Sequence, residues 1–311
     1  GKEEYHYNRK NQLISRKKGT ESVEYRYDLQ GNILEEASNR GKTEYGYNAF
    51  NQQTTTFMNN GQIQENWYDA EFLRAEVSEN GCSSRFLYYN GELLAESELN
   101  DTVRNRYILG YGVAASWQKE GYHSYHLDEQ NSTAYITDSD QRVENSYQYD
   151  AFGVIKSKTE SIYNRILYTG QQFDSITRQY YLRARYYNSA IGRFVQEDLY
   201  RGDGLNLYAY CANNPVIYYD PMGEAGRRQT YLGGTPKIGS RVGKQVLQDA
   251  YDNGTLRISG LSPKMQSMIE NQGFMNIKIT KSMTDKMEFK SQSDGNYYPV
   301  SSANMSHKNY D

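Results

Sequence analysis

Aromatic and polar residues alternate in short runs that return at a fixed interval over the first 90 residues. The runs are Tyr5-His-Tyr7-Asn8, Tyr25-Arg-Tyr27-Asp28, Tyr45-Gly-Tyr47-Asn48, Asn66-Trp-Tyr68-Asp69 and Leu87-Tyr-Tyr89-Asn90, with the Asx positions 8, 28, 48, 69 and 90 spaced by 20, 20, 21 and 21. Fixed-period self-similarity marks one supersecondary unit stacked on its neighbours. Tyr25 and Tyr27 alternate with polar partners, the period of two that a strand requires. Asp28-Leu-Gln-Gly31-Asn32 then supplies a turn: an Asx side chain to bond nearby backbone and a glycine for positive φ. Ile33 and Leu34 open the returning strand. Each unit is therefore expected to hold two strands and two turns, with strands of roughly seven to eight residues, ~25 Å long. An isolated hairpin is marginal in water, so the units are expected to pair laterally into one sheet. Such an array is not an enzyme domain with one active-site cleft.

Between 91 and 150 the period loosens while the phrases persist, in Asn105-Arg-Tyr107, Tyr125-His-Leu-Asp128 and Tyr147-Gln-Tyr149-Asp150-Ala-Phe152-Gly153. The polar stretch 156–164 reads as a loop or an edge. Beyond residue 223 the pattern becomes α+β. Val242, Val246 and Ala250 recur at helical spacing ahead of Gly254, and Ser262-Pro263 announces a second helix with Met265, Met268 and Ile269 on one face and Gly273 at its end. Strand signals follow at 276–279, 286–289 and 297–300, the last two flanking the turn Asp294-Gly295.

Composition sharpens this reading. A hydrophobic content of 37% and a mean hydropathy of −0.91 would suit a disordered chain, were 32 of the 311 residues not tyrosine. Tyrosine buries a large ring and keeps a hydroxyl at the rim, so a packed fold is expected. Residues 1–223 hold 27 tyrosines and 23 Lys+Arg against 30 Asp+Glu, a net of −7. Residues 224–311 hold 5 tyrosines and 12 Lys+Arg against 8 Asp+Glu, a net of +4. A domain boundary is placed at Asp220-Pro221-Met222-Gly223, where both properties switch. Cys82 and Cys211 exclude a disulfide scaffold and a Cys-based zinc site but leave one long-range bridge open. No apolar run reaches the length of a membrane span, no signal peptide is present, and the start at Gly1 reads as a fragment of something longer.

The Tyr-x-Tyr-Asx phrases resemble the tyrosine-aspartate (YD) repeats of the Rhs family. The match becomes specific over 165–223, in Leu167-Tyr-Thr-Gly-Gln-Gln-Phe-Asp174, Tyr180-Tyr-Leu-Arg-Ala-Arg-Tyr-Tyr187, Gly192-Arg-Phe194, Leu205-Asn-Leu-Tyr-Ala-Tyr210, Asn213-Asn-Pro-Val216 and Asp220-Pro-Met-Gly223. These resemble, in order, the Rhs-associated core that closes such arrays. The resemblance implies a mainly β protein: a YD-repeat sheet spiralling into a shell over 1–164, the core over 165–223, and a small α+β C-terminal domain over 224–311, a toxin cargo that is incomplete here. It also implies that Asp198, Asp220 and the supporting Arg185 carry out self-cleavage next to the Asp-Pro-x-Gly phrase. Two close carboxylates cannot both ionise easily, so one can serve as acid and the other as base. This chain departs from the family phrase in having Glu224, not leucine, after Gly223. The alternative role for Asp220 is to cap its turn, and for Arg185 a structural ion pair.

Within the cargo, Tyr297-Tyr-Pro-Val300 followed by Ala303-Asn-Met-Ser-His307-Lys308 resembles the start of the catalytic phrase of HNH/endonuclease VII-like toxins of the GH-E type. The resemblance implies a nuclease in which His307 is the general base beside a divalent metal ion, a role that suits an imidazole near neutral pH. Asn304 stands where that phrase has an acidic residue. Nucleic acid is then the substrate, a cognate immunity protein the partner, and the locale secreted or at the cell surface and wall. The competing reading is a non-catalytic cell-wall or adhesion protein whose tyrosines bind carbohydrate. Tyrosines as stacking platforms for single-stranded nucleic acid are disfavoured by their strand periodicity and the negative charge of 1–223.

Overall fold

The computed structural model describes residues 2–89, 91–110, 112–198, 206–224, 227–228, 247–248, 251–252, 254, 256–260, 262–276, 283, 286–290 and 297–299. The chain divides into two compact units, Gly1–Arg227 and Arg228–Asp311. In the first, sixteen strands from β1 (Glu3–Tyr7) to β16 (Ile155–Glu160) pair in chain order into one antiparallel sheet. The individual strands run to five to eight residues, slightly shorter than the repeat length suggests. The polar stretch after 155 forms the edge strand β16, and the regular pairing continues unbroken through 91–150.

Each repeated residue type has a definite task. The Asx side chain staples the turn that follows it: Asn48 Oδ1 accepts the backbone N–H of Phe50 at 2.9 Å and of Gln52 at 3.1 Å. Asp69 does the same for Glu71 and Leu73, Asp128 for Gln130 and Ser132, and Asp150 for Phe152 and Val154. Three residues after the Asx the backbone is left-handed, at Asn11, Gly31, Asn51, Phe72, Asn131, Gln141 and Gly153. The glycine expected there is thus one solution among several, and the Asx staple lets other side chains accept the same backbone. The first tyrosine of the phrase packs inward, with Tyr25, Tyr45, Tyr107, Tyr125 and Tyr147 all buried. The second sits at a bulge, and its hydroxyl reaches back to the preceding unit: Tyr27 to Leu13 O (3.0 Å), Tyr47 to Ile33 O (2.8 Å), Tyr68 to Gln53 O (2.7 Å) and Tyr149 to Thr133 O (2.9 Å). These hydroxyls are half-buried staples between units, rather than the free rim groups that composition alone suggests. Burial pushes the Tyr47 and Tyr68 phenols well above their ordinary range.

Residues 165–224 form a plug against the inner face of the sheet. Its strands β17 (Gln172–Asp174), β18 (Gln179–Leu182), β19 (Arg185–Asn188) and β20 (Arg193–Phe194) make a small antiparallel sheet, and the rings of Tyr180, Tyr181, Tyr186, Tyr187 and Phe194 on it and of Tyr208 and Tyr210 after it are almost wholly buried. Tyr187 and Tyr210 stack at 4.0 Å between centroids. Strands that return from an Asx turn begin by bonding to the plug: Ile33 N–H to Val195 O, Arg74 N–H to the Tyr181 hydroxyl, and Thr133 N–H to Leu167 O. The deepest tie is ionic. Arg74 and Asp174, both fully buried, form a two-pronged pair, and Arg165 joins it through Asp174 Oδ1 at 2.9 Å and Glu79 at 2.6 Å. The plug also gathers both ends of the sheet, because Arg193 donates to Asn11 O at 2.7 Å while Tyr187 donates to Phe152 O at 2.7 Å. A cleft of about 490 Å³ lies there, lined by Tyr5, Tyr7, Asp150, Phe152 and Arg193.

In the second unit the described residues include a helix, Pro263–Gln272, and three antiparallel strands at Leu256–Ile258, Met287–Lys290 and Tyr297–Pro299. The helix begins at Ser262-Pro263 and ends at Gly273, φ 65°, as the cap residues require. Ile269 is buried, whereas Met268 is 37% exposed and does not share its inward face. Met287–Lys290 pairs with Tyr297–Pro299 as the hairpin expected around Asp294-Gly295. Asn276 ends a short 3-10 turn rather than opening a strand. The helix expected at Val242–Ala250 lies outside the described residues for most of its length, as do residues 277–279 and the 294–295 turn itself. Cys82 is exposed and Cys211 buried, and both are free thiols, so the long-range bridge left open by the sequence does not form. Among the described residues no helix is long and apolar enough to cross a membrane.

Candidate functional site

Three of the four residues singled out from the sequence converge at one place in the first unit. Arg185 opens β19, and its buried guanidinium lies over the Phe194 ring, 3.7 Å from the centroid. Its Nη2 pairs with Asp198 Oδ2 at 2.8 Å and donates to Glu224 O at 3.4 Å. Nη1 donates to Leu207 O at 3.1 Å, and Nε donates to Gly223 O. Asp198 is itself placed by its N–H bond to Leu207 O at 3.0 Å. The guanidinium thus touches one candidate carboxylate and the two carbonyls of the candidate cleavage segment.

Asp220 holds that segment in shape. Its Oδ1 accepts the N–H groups of Met222 (3.2 Å), Gly223 (2.8 Å) and Glu224 (3.3 Å), folding the chain back on itself. Gly223 is left-handed at φ 73°, and a Cβ there would stand 2.5 Å from Leu182 O, so only glycine fits without a shift. Asp220 is 1% exposed, and burial raises its pKa above the ordinary carboxylate value even though Arg185 and the three N–H groups pull the other way. Burial likewise lowers the Arg185 pKa, against the opposing pull of Asp198 and Asp220. Asp220 therefore does cap its turn and Arg185 does make an ion pair. Cys211 is buried with its thiol pushed up by desolvation and then by Asp220, which disfavours a thiolate nucleophile.

Chemically, the arrangement offers a cation on two peptide carbonyls, a carboxylate beside that cation, and a second, buried carboxylate biased towards its neutral form. That is the equipment for hydrolysing an adjacent amide. Phe194, which supports the guanidinium, and the Leu207 carbonyl were not singled out from the sequence. Gly192-Arg-Phe194 was one of the phrases resembling the Rhs-associated core, but only the β19–β20 pairing puts its ring beneath Arg185. The 490 Å³ cleft is lined by none of Arg185, Asp198 and Asp220. His307 lies outside the described residues, and among those described no group of three or more His, Cys, Asp or Glu could hold a metal ion.

No family profile matches the chain. By sequence it is similar to the tRNA3(Ser)-specific nuclease WapA of Bacillus spizizenii, 36% identical over 169 residues, 50% of this chain and 7% of that protein. It is also similar to double-stranded DNA deaminase toxin A of Burkholderia cenocepacia, 28% identical over 160 residues, 50% of this chain and 11% of that protein. By fold it is similar to the Photorhabdus luminescens Tc holotoxin pore with mutated TccC3, at TM-score 0.50 and 16% identity over 74% of this chain and 16% of that one. The chain spans about a tenth or less of the length of these curated relatives. The similarity supports a β-sheet shell of the kind built by such toxins. The two relatives are named for different chemistries, so what they share with this chain does not dictate an activity.

Proposed function

We propose that the chain is part of a secreted or surface-displayed bacterial toxin of the Rhs type, whose shell carries a cargo and severs itself from it. The observation that carries this reading is that Arg185, paired with Asp198, donates to the carbonyls of Gly223 and Glu224, while Asp220 accepts the N–H groups of the same two residues. In the proposed reaction Asp198 takes a proton from water as its oxygen attacks the carbonyl carbon of Gly223 or Glu224. Arg185 holds the charge that develops on the carbonyl oxygen. Asp220, held towards its neutral form, gives its proton to the departing amide nitrogen as the C–N bond breaks. One water is consumed, and a new carboxylate and a new amine remain.

For the cargo we propose a nuclease of the HNH/GH-E type with His307 as general base and a divalent metal ion as cofactor, neutralised in the producing cell by an immunity protein. The similarity to a named tRNA nuclease and to a DNA deaminase toxin supports a nucleic-acid target. Mass spectrometry of the purified chain tests the first part. A fragment ending at Gly223 or Glu224, absent in Asp198→Asn and Asp220→Asn, is expected; an intact wild-type chain would overturn it. For the second part, degradation of nucleic acid by the completed cargo should vanish with EDTA and in His307→Ala. A second reading, carbohydrate binding, has one observation in its favour: Trp117, 58% exposed, meets Tyr122 edge-on on the outer face of the sheet. Loss of cell-wall polysaccharide binding in Trp117→Ala is its test.

A further inference from the structure

The turn between β18 and β19 has only two residues, Arg183 and Ala184, because Leu182 pairs directly with Arg185. Arg183 is left-handed, at φ 60°. Turns this tight take glycine, asparagine or aspartate at such a position, since other side chains are strained there. Strain of this kind persists where the surroundings over-determine it and the side chain has a task. The task is visible. Nε donates to Gly91 O at 2.7 Å, between β9 (Cys82–Tyr89) and β10 (Glu92–Ser97) of the large sheet, and Nη2 pairs with Glu92, the first residue of β10, at 3.2 Å. Nη1 donates to Pro221 O, which also receives Gln171 Nε2 at 3.4 Å. On the other side of the same turn, Ala184 N–H donates to Met222 O at 3.1 Å, and Gly223 lies against Leu182 and the Arg185 backbone. The Asp220–Glu224 segment is therefore clamped to the tip of one hairpin, and Arg183 ties that tip to the sheet.

We propose that Arg183 is a positioning residue for self-processing, one that presents the Gly223 and Glu224 carbonyls to Arg185 once its guanidinium is docked on Gly91 and Glu92 of the large sheet. This rests on the self-cleavage reading above. Its chemistry is separate from that of Arg185: the bonds described here run to two carbonyls and Glu92, and to neither Asp198 nor Asp220. Processing would in this way wait for a finished shell. Displacing a reacting group by about 1 Å costs on the order of 100-fold in rate, and the clamp controls displacements of that size.

The test uses the whole chain as wild type, Arg183→Gly and Arg183→Lys. It follows processing by time-resolved mass spectrometry, melting by the near-ultraviolet circular dichroism of the tyrosines, and amide hydrogen exchange at 222–224. Glycine relieves the backbone strain while removing the clamp. Strain relief and the lost bonds to Gly91 O, Pro221 O and Glu92 oppose each other, so Arg183→Gly should melt within a few degrees of wild type yet process about 10–100-fold more slowly. Its pH profile should keep the wild-type shape, the 222–224 amides should exchange faster, and Arg183→Lys should restore part of the rate. Wild-type processing in Arg183→Gly overturns the proposal, as does a slowing that merely tracks a lower melting temperature. If wild type and Asp220→Asn both stay intact, the self-cleavage reading is what fails. Exchange at 222–224 then still decides the clamp: faster in Arg183→Gly supports it, and unchanged exchange overturns it.

Discussion

Replacing Asp174 by alanine should uncouple the plug from the sheet. The carboxylate is fully buried and accepts from Arg74 Nη2 at 3.0 Å and from Arg74 Nη1, from Arg165 Nη1 at 2.9 Å and from Gln64 Nε2 at 2.7 Å. Without it Arg165 keeps Glu79 at 2.6 Å, but Arg74, 0% exposed, retains only neutral partners: Gln172 at 2.8 Å, Tyr186 at 3.0 Å and Asn66 at 3.3 Å. Stranding one buried charge costs about 3–5 kcal/mol. With the other bonds also lost, the expected cost is about 5 kcal/mol, which lowers a urea midpoint by about 2 M at a slope of about 2–3 kcal/mol/M. Burial would raise the Asp174 pKa, but Arg74 and Arg165 outweigh it and hold the group below its ordinary 3.8. Its contribution is thus complete above pH 3.8 and is lost as pH falls through the lower folded-state value. Urea unfolding followed by tyrosine near-ultraviolet circular dichroism should show the full gap at pH 7 and a closing gap in acid. The double variant Asp174→Leu/Arg74→Met removes both charges and should cost less than Asp174→Ala alone. A loss under about 1 kcal/mol at pH 7, or a gap that ignores pH, would refute the assignment of this pair as the anchor.

Asp69→Ala removes the acceptor for the Glu71 and Leu73 N–H groups beside left-handed Phe72 and should cost about 1 kcal/mol, a melting shift of about 2–4 °C, whereas Asp69→Asn should be nearly silent. Tyr47→Phe strips the inter-unit bond to Ile33 O and should cost about 1 kcal/mol by denaturant unfolding; Tyr5→Phe, which loses only a solvent-exposed bond to Glu3, should cost close to nothing. Gly223→Ala forces a Cβ to 2.5 Å from Leu182 O at φ 73° and should abolish the processed fragment in mass spectrometry while costing the unit about 1–2 kcal/mol. Asp220 behaves oppositely to Asp174. Its raised folded-state pKa means that burying the ionised form costs nothing below pH 3.8, with the cost growing as pH rises through the folded-state value. Asp220→Asn should therefore match wild type in acid and be at least as stable at pH 7, and a variant that is less stable at pH 7 would contradict this.

Much of the shell was legible in the chain because its determinants are local. Period-two alternation set the strands, and the Asx residue at the end of each run set the turn through bonds to backbone two and four residues on. Both depend on neighbours within a few positions, so repetition made them readable. The hairpin before Pro299 and the helix from Pro263 were readable for the same reason. What each tyrosine hydroxyl bonds was not, because its acceptor lies 14 to 16 residues away on another strand. The buried Arg74–Asp174 pair joins positions 100 residues apart, and nothing in the local pattern of either announces a partner.

The site divides along the same line. Arg185, Asp198 and Asp220 stood out by their place in phrases that resemble the Rhs-associated core, which named the residues without placing them. Their meeting around the Gly223 and Glu224 carbonyls depends on the β18–β19 hairpin, the β19–β20 pairing and the turn stapled by Asp220. By itself the sequence determined a repeating β-sheet array with a compositionally distinct C-terminal segment. Only the tertiary structure decided that three charged residues spread over 36 positions face one peptide segment, with burial holding one carboxyl towards its neutral form. Desolvation and proximity arise from packing, and a linear pattern encodes neither.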